Sequence, residues 1–280
     1  MSTFLTQAHF EQLERDSYII VHNFLSEAQR AEMAAAIRRI LSPWSEVEDK
    51  TKTSDATYFP YEEQCLNRAI LNPEGICFSQ KWLGTEKIHY RPGLALVRYP
   101  GFKGYSGKPH IDNGNNSLLP PSKSARHHSQ LNFWFYPEDV EDDQAPTYLL
   151  KTSDGQDMSR AEKFVAPGGS VAIFTNYNWH SAGDYLRDRG QRYVWKFAYG
   201  RADHFWEGVL HYTSVGRNPH FCQFIGSLTA KEREFFRFPP AGHPYYTLQT
   251  LEALAEQYPG WNKKEYIEQF KTGITSLRRG

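Results

Sequence analysis

Residues 191–200, QRYVWKFAYG, decide the fold prediction because their side chains alternate between two kinds. One set is Arg, Val, Lys and Ala, and the other is Tyr, Trp, Phe and Tyr. A period of two is typical of a β-strand whose two faces meet different environments. We therefore predict a strand whose aromatic face packs beneath helices and whose other face, which begins with Arg192, points inward.

Segments of the same kind precede this strand from residue 94 onward. Each is short, rich in β-branched and aromatic residues, and bounded by Gly, Pro or Asn. Short strands at this spacing predict an all-β sandwich or barrel. The segments are LALVRYPG (94–101), KPHIDNG (108–114), SQLNFWFYPE (129–138), PTYLLKTSDG (146–155), GGSVAIFTN (168–176) and NWHSAG (178–183).

Helical patterns flank this region on both sides. Thr6 and Ser26 are good N-cap residues for two helices that enclose a buried strand, and residues 44–90 are predicted as loops with short helices. The predicted flanking segments are helices at 5–16, 26–41, 228–238 and 247–258, and the strand at 17–25. No Ser/Gly/Pro-rich linker separates the regions. We expect one domain over 1–280, with a helical flank at 1–90, a β core at about 91–213 and a helical extension at 214–280.

Composition excludes several classes of function. The chain of 280 residues has 32 basic and 32 acidic residues, which argues against a protein that binds nucleic acid by neutralising phosphates. No apolar run is long enough to cross a membrane, and the N-terminus lacks the pattern of a secretory signal. Three cysteines without C-x-x-C spacing argue against disulfides and structural zinc. We expect a soluble cytoplasmic protein.

The KPHIDNG segment raises the possibility of a metal site. On a strand, His110 and Asp112 lie on the same side and can offer an imidazole and a carboxylate to one ion. His180, at the end of the next strand-like region, is a third candidate ligand. Two histidines and one carboxylate, with open positions, are the ligands of non-haem Fe(II) oxygenases. The spacing alone leaves open a structural His180 bonded to a backbone carbonyl.

Arg192 is the candidate anion-binding residue. An inward-pointing arginine is costly to bury unless it meets an anion, and a bidentate carboxylate fits that need. A structural salt bridge is the alternative. In residues 129–138 the more polar face, which carries Gln130, Asn132, Trp134 and Tyr136, is predicted to look inward toward the same site.

Together these segments resemble the phytanoyl-CoA dioxygenase family of Fe(II)- and 2-oxoglutarate-dependent oxygenases. The resemblance covers most of the chain in the family's order. KPHIDNG resembles the family's His-x-Asp strand, GGSVAIFTNYNWHSAG (168–183) the strand leading to the distal histidine, and QRYVWKFAYG the strand that carries the arginine. Residues 5–29, LTQAHFEQLERDSYIIVHNFLSEAQ, resemble its N-terminal helix, strand and second helix.

The resemblance implies a double-stranded β-helix, or jelly roll, and a defined set of cofactors. His110, Asp112 and His180 would hold Fe(II), Arg192 would bind the distal carboxylate of 2-oxoglutarate, and O2 would be the second cosubstrate. The reaction would release succinate and CO2 and oxidise a small molecule. The carboxylate of Asp112 favours hydroxylation or another oxidation over halogenation. Further cosubstrate contacts are expected from Tyr99, Gln130, Asn132 and Trp134.

Two other functions stay open at the level of sequence. One is a metal-binding barrel that has lost turnover. The other is a cupin-type metal protein that needs no 2-oxoglutarate, and Arg192 argues against it because such a protein needs no carboxylate clamp there. The sequence does not identify the substrate or the oligomeric state.

Overall fold

The computed structural model describes residues 5–104, 108–111, 130–202, 218–236, 238–243 and 246–267. The chain forms two compact units. One is the described part of Met1–Phe59 and Asn72–Trp206, and the other is the described part of Pro60–Leu71 and Glu207–Gly280. The expectation of a single domain stays a prediction.

A six-stranded antiparallel sheet dominates the first unit. In spatial order its strands are β1, β7, β4, β9, β3 and β2, so that β4 and β9 are central. Strand β9 is the stretch from which the fold prediction started. The bounds are β1 Tyr18–Val21, β2 Ser54–Tyr58, β3 Ile88–Arg98, β4 Gln130–Tyr136, β7 Ser170–Thr175 and β9 Arg192–Arg201.

A smaller antiparallel sheet contains β5 (Thr147–Leu149), flanked by β6 (Glu162–Lys163) and β8 (His180–Ala182). A single apolar cluster joins side chains of the two sheets, so the first unit is a two-layered β structure. Tyr136 of β4 and Phe164 stack at 4.0 Å between ring centroids within this cluster. The cluster consists of Tyr18, Tyr136, Val140, Leu149, Phe164, Ala166, Ala172, Phe174 and Val194, with Ile20, Leu96 and Trp134 packed against it.

The other face of the larger sheet is aromatic and packs beneath helices, as the alternation of β9 predicts. Phe133 and Phe197 stack at 5.9 Å between centroids. A methyl group added at Gly75 would approach Phe133 to 3.3 Å, which shows how closely the helix that carries Gly75 packs. The helices of this unit are α1 Gln7–Asp16, α2 Glu27–Ile40 and α4 Pro73–Leu83.

The N-terminal elements form where their end signals predict. Thr6 and Ser26 close capping boxes at α1 and α2, in which the side chain and backbone of the cap satisfy donors of the first turn. The prediction for 44–90 was incomplete, because it missed β2 and the first half of β3. β2 is the edge strand, and β3 contains a bulge between Arg91 and Leu94 that interrupts its alternation.

The second unit is helical in its described part. Thr229 and Thr247 cap α6 and α7, in agreement with the predicted helices. Its helices are α3 Gln64–Ala69, α5 Pro219–Gly226, α6 Ala230–Glu234 and α7 Leu248–Gln257. Within the described ranges, none of the helices combines the length and apolar character needed to cross a membrane.

Candidate metal and cosubstrate site

The structure brings together the two histidines that the sequence places 70 positions apart. His110 and His180 face each other across an antiparallel bridge, in which each backbone N–H donates to the other residue's carbonyl, at 2.9 and 3.0 Å. Their ring centroids lie 4.4 Å apart. Directly opposed residues on antiparallel strands project to the same side, so both imidazoles serve one site.

The ring of His180 is held in a defined orientation. Its Nδ1 lies 3.1 Å from the carbonyl oxygen of Asn178, which can only accept a hydrogen bond, so the proton must reside on Nδ1. The lone pair is then on Nε2, the form that ligates metals, and a backbone carbonyl is a common orienting partner for such a histidine. The side chain of Asn178 donates to Ser17 Oγ and to the Leu150 carbonyl, both at 2.8 Å, which fixes this turn.

Aromatic rings surround His180. Trp134 meets it edge to face at 5.4 Å between centroids, and Phe174 lies at 4.9 Å. His180 itself is only 1% exposed. The surroundings are therefore apolar and dry on this side, whereas His110 is half-buried.

The third predicted ligand, Asp112, lies outside the described residues. Over the ranges that the structure describes, no group of three His, Cys, Asp or Glu side chains could hold a metal ion. The two imidazoles, one with its tautomer fixed for ligation, fit two positions of a metal site. They leave room for a carboxylate and for further ligands.

Arg192 is buried, with 3% exposure, and points inward with Val194 as predicted. Its Nη2 donates to the Ala145 carbonyl at 2.8 Å, while Nε and Nη1 have no hydrogen-bond partner within the described part of the chain. Burial lowers the pKa of the guanidinium, because it disfavours the charged form. A buried cation with two unused donors is the arrangement that an anion would complete.

The register of the strands places Arg192 and His180 along the same interior. His180 pairs with Leu149 on β5, and Arg192 reaches Ala145, four residues earlier in the same segment. That separation is about 13 Å of extended chain. The long side chain of Arg192 and the ring of His180 both project into the space between the sheets, with Tyr136 beside the guanidinium at 5.7 Å.

Of the further cosubstrate contacts predicted, Trp134, Asn132 and Gln130 lie on the inner face of β4. Trp134 touches His180, as described above. Gln130 and Asn132 are buried and bond to each other at 3.3 Å, and Gln130 accepts a hydrogen bond from Arg91 at 2.6 Å. These two amides lie on the far side of Trp134 from Arg192.

Tyr99 is not brought to the site. Its hydroxyl donates to the Ser42 carbonyl at 2.6 Å, just as the hydroxyl of Tyr193 donates to the preceding carbonyl, Leu41, at 3.0 Å. Tyr193 belongs to the aromatic outer face of β9, so Tyr99 lies on that side as well. The expected cosubstrate contact of Tyr99 is therefore corrected: its polar group anchors the segment that follows α2.

Sequence reasoning missed three neighbours of the site. Asn178 orients His180, Phe174 packs against it, and Lys196 places its ammonium 4.3 Å above the ring of Trp134. Alternation already put Lys196 on the inward face of β9. Its position over Trp134 follows from the pairing of these two residues across β4 and β9, which requires the register.

The sequence matches no protein-family model, and it matches no curated protein. Solved structures do resemble it. SnoN, a non-heme alpha ketoglutarate dependent epimerase from nogalamycin biosynthesis, is 16% identical with a TM-score of 0.54, over 70% of this chain and 82% of SnoN. EvdO2 from Micromonospora carbonacea var. aurantiaca, complexed with 2-oxoglutarate, is 13% identical with a TM-score of 0.53, over 73% of this chain and 95% of EvdO2.

HygX from Streptomyces hygroscopicus, solved with iron bound, is 11% identical with a TM-score of 0.54, over 71% of this chain and 88% of HygX. At these identities the likeness establishes the fold: a mainly antiparallel β structure with flanking helices, shared with non-haem iron and 2-oxoglutarate-dependent enzymes. The roles of individual residues do not follow from it.

Proposed function

We propose that this chain is an Fe(II)- and 2-oxoglutarate-dependent oxygenase with a jelly-roll core. It oxidises an unactivated C–H bond of a small-molecule metabolite and releases succinate and CO2. The observation that carries the proposal is Arg192, a buried guanidinium with two donors that nothing in the described chain uses. The interior of the β unit also contains His110 and His180, whose rings lie side by side. The similar structures include complexes with iron and with 2-oxoglutarate.

In this proposal His110, His180 and Asp112 hold the iron. The bridge between the two histidine backbones sets the separation of their rings, and the Asn178 carbonyl keeps the proton of His180 on Nδ1. When bound, Fe(II) and 2-oxoglutarate together supply the oxidising power of the reaction. The protein provides the orientation of the ligands and the dry surroundings.

Arg192 binds the distal carboxylate of 2-oxoglutarate through Nε and Nη1, while its bond to Ala145 fixes the guanidinium plane. A carboxylate there compensates the buried positive charge and accepts hydrogen bonds from the guanidinium. Arg192 and His180 both lie on elements that face the interior between the two sheets, and 2-oxoglutarate has one acid group for Arg192 and a 2-oxo acid for the iron.

Aromatic rings pack around both His180 and Arg192. Trp134 and Phe174 cover His180, and Tyr136, stacked on Phe164, lies beside Arg192. A low-dielectric wall strengthens the pairing of Arg192 with a carboxylate and keeps water from competing for it. Asn132 and Gln130, further along the same face of β4 beyond Trp134, are buried polar side chains on that face.

The jelly-roll assignment is supported by the strand arrangement. Two antiparallel sheets face each other across one apolar cluster, and the larger sheet interleaves strands that are distant in sequence, with β7 between β1 and β4. Such an order needs connections that cross from one sheet to the other, which is the pattern of double Greek-key sandwiches. A cupin-type metal protein would share this core, but it gives no role to Arg192.

An anaerobic titration tests the proposal. Purified protein receives Fe(II) and then 2-oxoglutarate, and visible absorbance is recorded for the wild type, Asp112→Ala and Arg192→Met. We expect a weak metal-to-ligand charge-transfer band in the wild type, a weaker band in Asp112→Ala, and a much higher 2-oxoglutarate requirement in Arg192→Met. A wild type that binds Fe(II) but never develops the band would instead be a cupin-type metal protein.

A further inference from the structure

Ser17 alone connects α1 to β1. The helix ends at Asp16 and the strand begins at Tyr18, so the chain passes from helix to strand within one residue. Ser17 makes this change in the left-handed region, with φ 68° and ψ 1°. Glycine adopts this conformation most readily and is the commonest residue at such a helix end. The Cβ of a serine is disfavoured there, and strained residues of this kind cluster at functional sites.

The three polar groups of Ser17, which is 1% exposed, bond to three different residues. Its N–H donates to the Leu13 carbonyl at 2.9 Å and closes α1. Its carbonyl accepts from the N–H of Thr175, at the end of β7, at 3.0 Å. Its hydroxyl accepts from Asn178 Nδ2 at 2.8 Å. A glycine would make both backbone bonds, so only the bond to Asn178 requires the serine side chain.

The bond to Asn178 reaches the candidate metal site in one further step. Asn178 ends a turn after β7 in which its N–H donates to the Thr175 carbonyl at 3.1 Å, and its side chain also donates to the Leu150 carbonyl at 2.8 Å. The Asn178 carbonyl lies 3.1 Å from His180 Nδ1 and holds the proton there. The Ser17 hydroxyl therefore restrains the residue whose carbonyl orients the ring of His180.

Two other non-glycine residues of the described chain have positive φ, and both differ from Ser17. Asn23, with φ 51°, is exposed in the loop after β1, and asparagine tolerates this conformation. Ala145, also with φ 51°, belongs to an apolar cluster with Phe102 and Tyr185, and its side chain has no hydrogen-bonding group. Among the three, Ser17 combines burial with a side-chain hydrogen bond toward the candidate site.

We infer that Ser17 is a positioning residue for His180. Its hydroxyl holds Asn178, and the Asn178 carbonyl keeps the His180 ring in the orientation and tautomer that ligate a metal. The inference rests on the proposed function in that it takes His180 as an iron ligand. Loss of the hydroxyl should loosen the ring without unfolding the chain, because glycine at this position retains both backbone bonds.

The variant Ser17→Gly separates the side chain from the backbone of this residue. Glycine keeps the left-handed turn, relieves the strain of the Cβ and removes the hydroxyl. The matched control is Asn23→Gly, which makes the same change at an exposed left-handed residue. We expect the unfolding midpoint temperature of Ser17→Gly to stay within about 3 °C of wild type, because the relief of strain offsets the lost hydrogen bond.

Two measurements report on His180. Anaerobic titration gives the Fe(II) affinity, which should fall about fivefold in Ser17→Gly, the effect of one net hydrogen bond, and stay unchanged in Asn23→Gly. Long-range proton–nitrogen correlation spectra of the metal-free protein, at a pH above the ordinary range of histidine, report the tautomer. The His180 signals are assigned by their loss in His180→Gln. We expect the proton on Nδ1 in wild type and Asn23→Gly, and a mixture of both tautomers in Ser17→Gly.

A double variant tests whether Ser17 acts through Asn178. In the Asn178→Ala background, Ser17→Gly should have no further effect on the Fe(II) affinity, because the amide that the hydroxyl holds is already absent. Equal losses in both backgrounds would contradict action through Asn178. A proton that stays on Nδ1 in Ser17→Gly, or an equal loss of affinity in Asn23→Gly, would overturn the inference.

The two readouts keep the inference separate from the proposed function. If wild type binds no Fe(II), the proposed function fails, and the spectra of the metal-free protein still decide whether Ser17 positions the ring. If wild type binds Fe(II) and develops the charge-transfer band, and Ser17→Gly matches it in affinity and tautomer, the inference fails alone.

Discussion

Arg233 and Arg192 are both buried almost completely, yet their surroundings differ. Arg233, in the helical unit, is 0% exposed and uses its donors on the Ile225 carbonyl, the Gly226 carbonyl and the Tyr266 hydroxyl, while its guanidinium stacks 3.8 Å from the centroid of Trp261. Arg192, in the β unit, has one backbone acceptor and two nitrogens without a partner in the described chain.

The comparison teaches that burial of a charge does not by itself indicate function. A buried cation whose donors are all satisfied within the protein is part of the architecture, as Arg233 is. A buried cation with unused donors destabilises the folded protein, and an anionic ligand that pairs with it can remove this destabilisation. The difference between the two residues is therefore a statement about stability as well as about ligand binding.

The largest effect on stability is expected at Arg233. Replacing it by Met leaves two carbonyls and a hydroxyl buried without a donor and removes the stacking on Trp261. The helical unit should lose at least about 3 kcal/mol of stability. Hydrogen–deuterium exchange over 218–236 measures this loss locally. The control is Lys231→Met on the same helix, whose exposed pair with Glu234 predicts a change within about 0.5 kcal/mol. Equal exchange rates in the two variants would contradict a structural role for Arg233.

The next largest effect is expected at Asn178, whose backbone carbonyl orients the ring of His180. Asn178→Ala loses two hydrogen bonds of the turn whose carbonyl orients the imidazole. We expect the Fe(II) affinity to fall by about 10–100-fold, the range typical of outer-shell partners of metal ligands. Anaerobic metal titration measures it. An unchanged affinity would show that the ring orientation does not depend on this turn.

A smaller effect is expected beside Arg192. Tyr136 and Thr147 share a buried 2.7 Å hydrogen bond that links the two sheets. Tyr136→Phe should cost about 1 kcal/mol of unfolding free energy, with Thr147 Oγ1 left unpaired. The double variant with Thr147→Val should recover part of that loss, because the second unpaired group is removed. A denaturant-based double-mutant cycle isolates the pair, and strictly additive losses would argue against their coupling.

The smallest effect on stability is expected at Arg192 itself. Its removal costs the donor to the Ala145 carbonyl but also relieves a desolvated charge, whose lowered pKa shows that burial disfavours the charged form. The two contributions oppose each other, so Arg192→Met should change the unfolding free energy by less than about 1 kcal/mol. A loss as large as that of Arg233→Met would mean that Arg192 is a structural residue.

The sequence predicts the inward position of Arg192, but it does not predict the partners of Arg233. Strict alternation in β4 and β9 was enough to place Arg192, Trp134 and Tyr136 inward, because the opposite face is apolar in β4 and aromatic in β9. It could not place Tyr99, which follows the end of β3 and returns to the segment after α2. It also could not reveal that Trp134 and Lys196 are neighbours, since register is set by pairing between distant strands.

The two buried arginines also show which contacts cannot be predicted from the sequence. Arg192 was predicted to need an anionic partner, whereas Arg233 lies within the predicted helix 228–238 and was given no role. Which partners they find depends on carbonyls and hydroxyls contributed by other elements, such as Tyr266 for Arg233. No local feature of the sequence encodes these contacts, so the difference between the hydrogen bonding of the two guanidinium groups becomes visible only in the folded chain.

The most direct test of the central claim is a comparison of two ligands by calorimetry. Anaerobic protein loaded with Fe(II) is titrated with 2-oxoglutarate and with 2-oxobutanoate, which has the same chelating group but lacks the distal carboxylate. The variants are Arg192→Met and, as control, Arg189→Met, an exposed arginine of the loop that precedes β9. We predict that wild type and Arg189→Met prefer 2-oxoglutarate by at least about 30-fold, the effect of about 2 kcal/mol from one buried charge pair. Arg192→Met should bind both ligands alike. A preference that survives in Arg192→Met would contradict the assignment of this arginine as the carboxylate clamp.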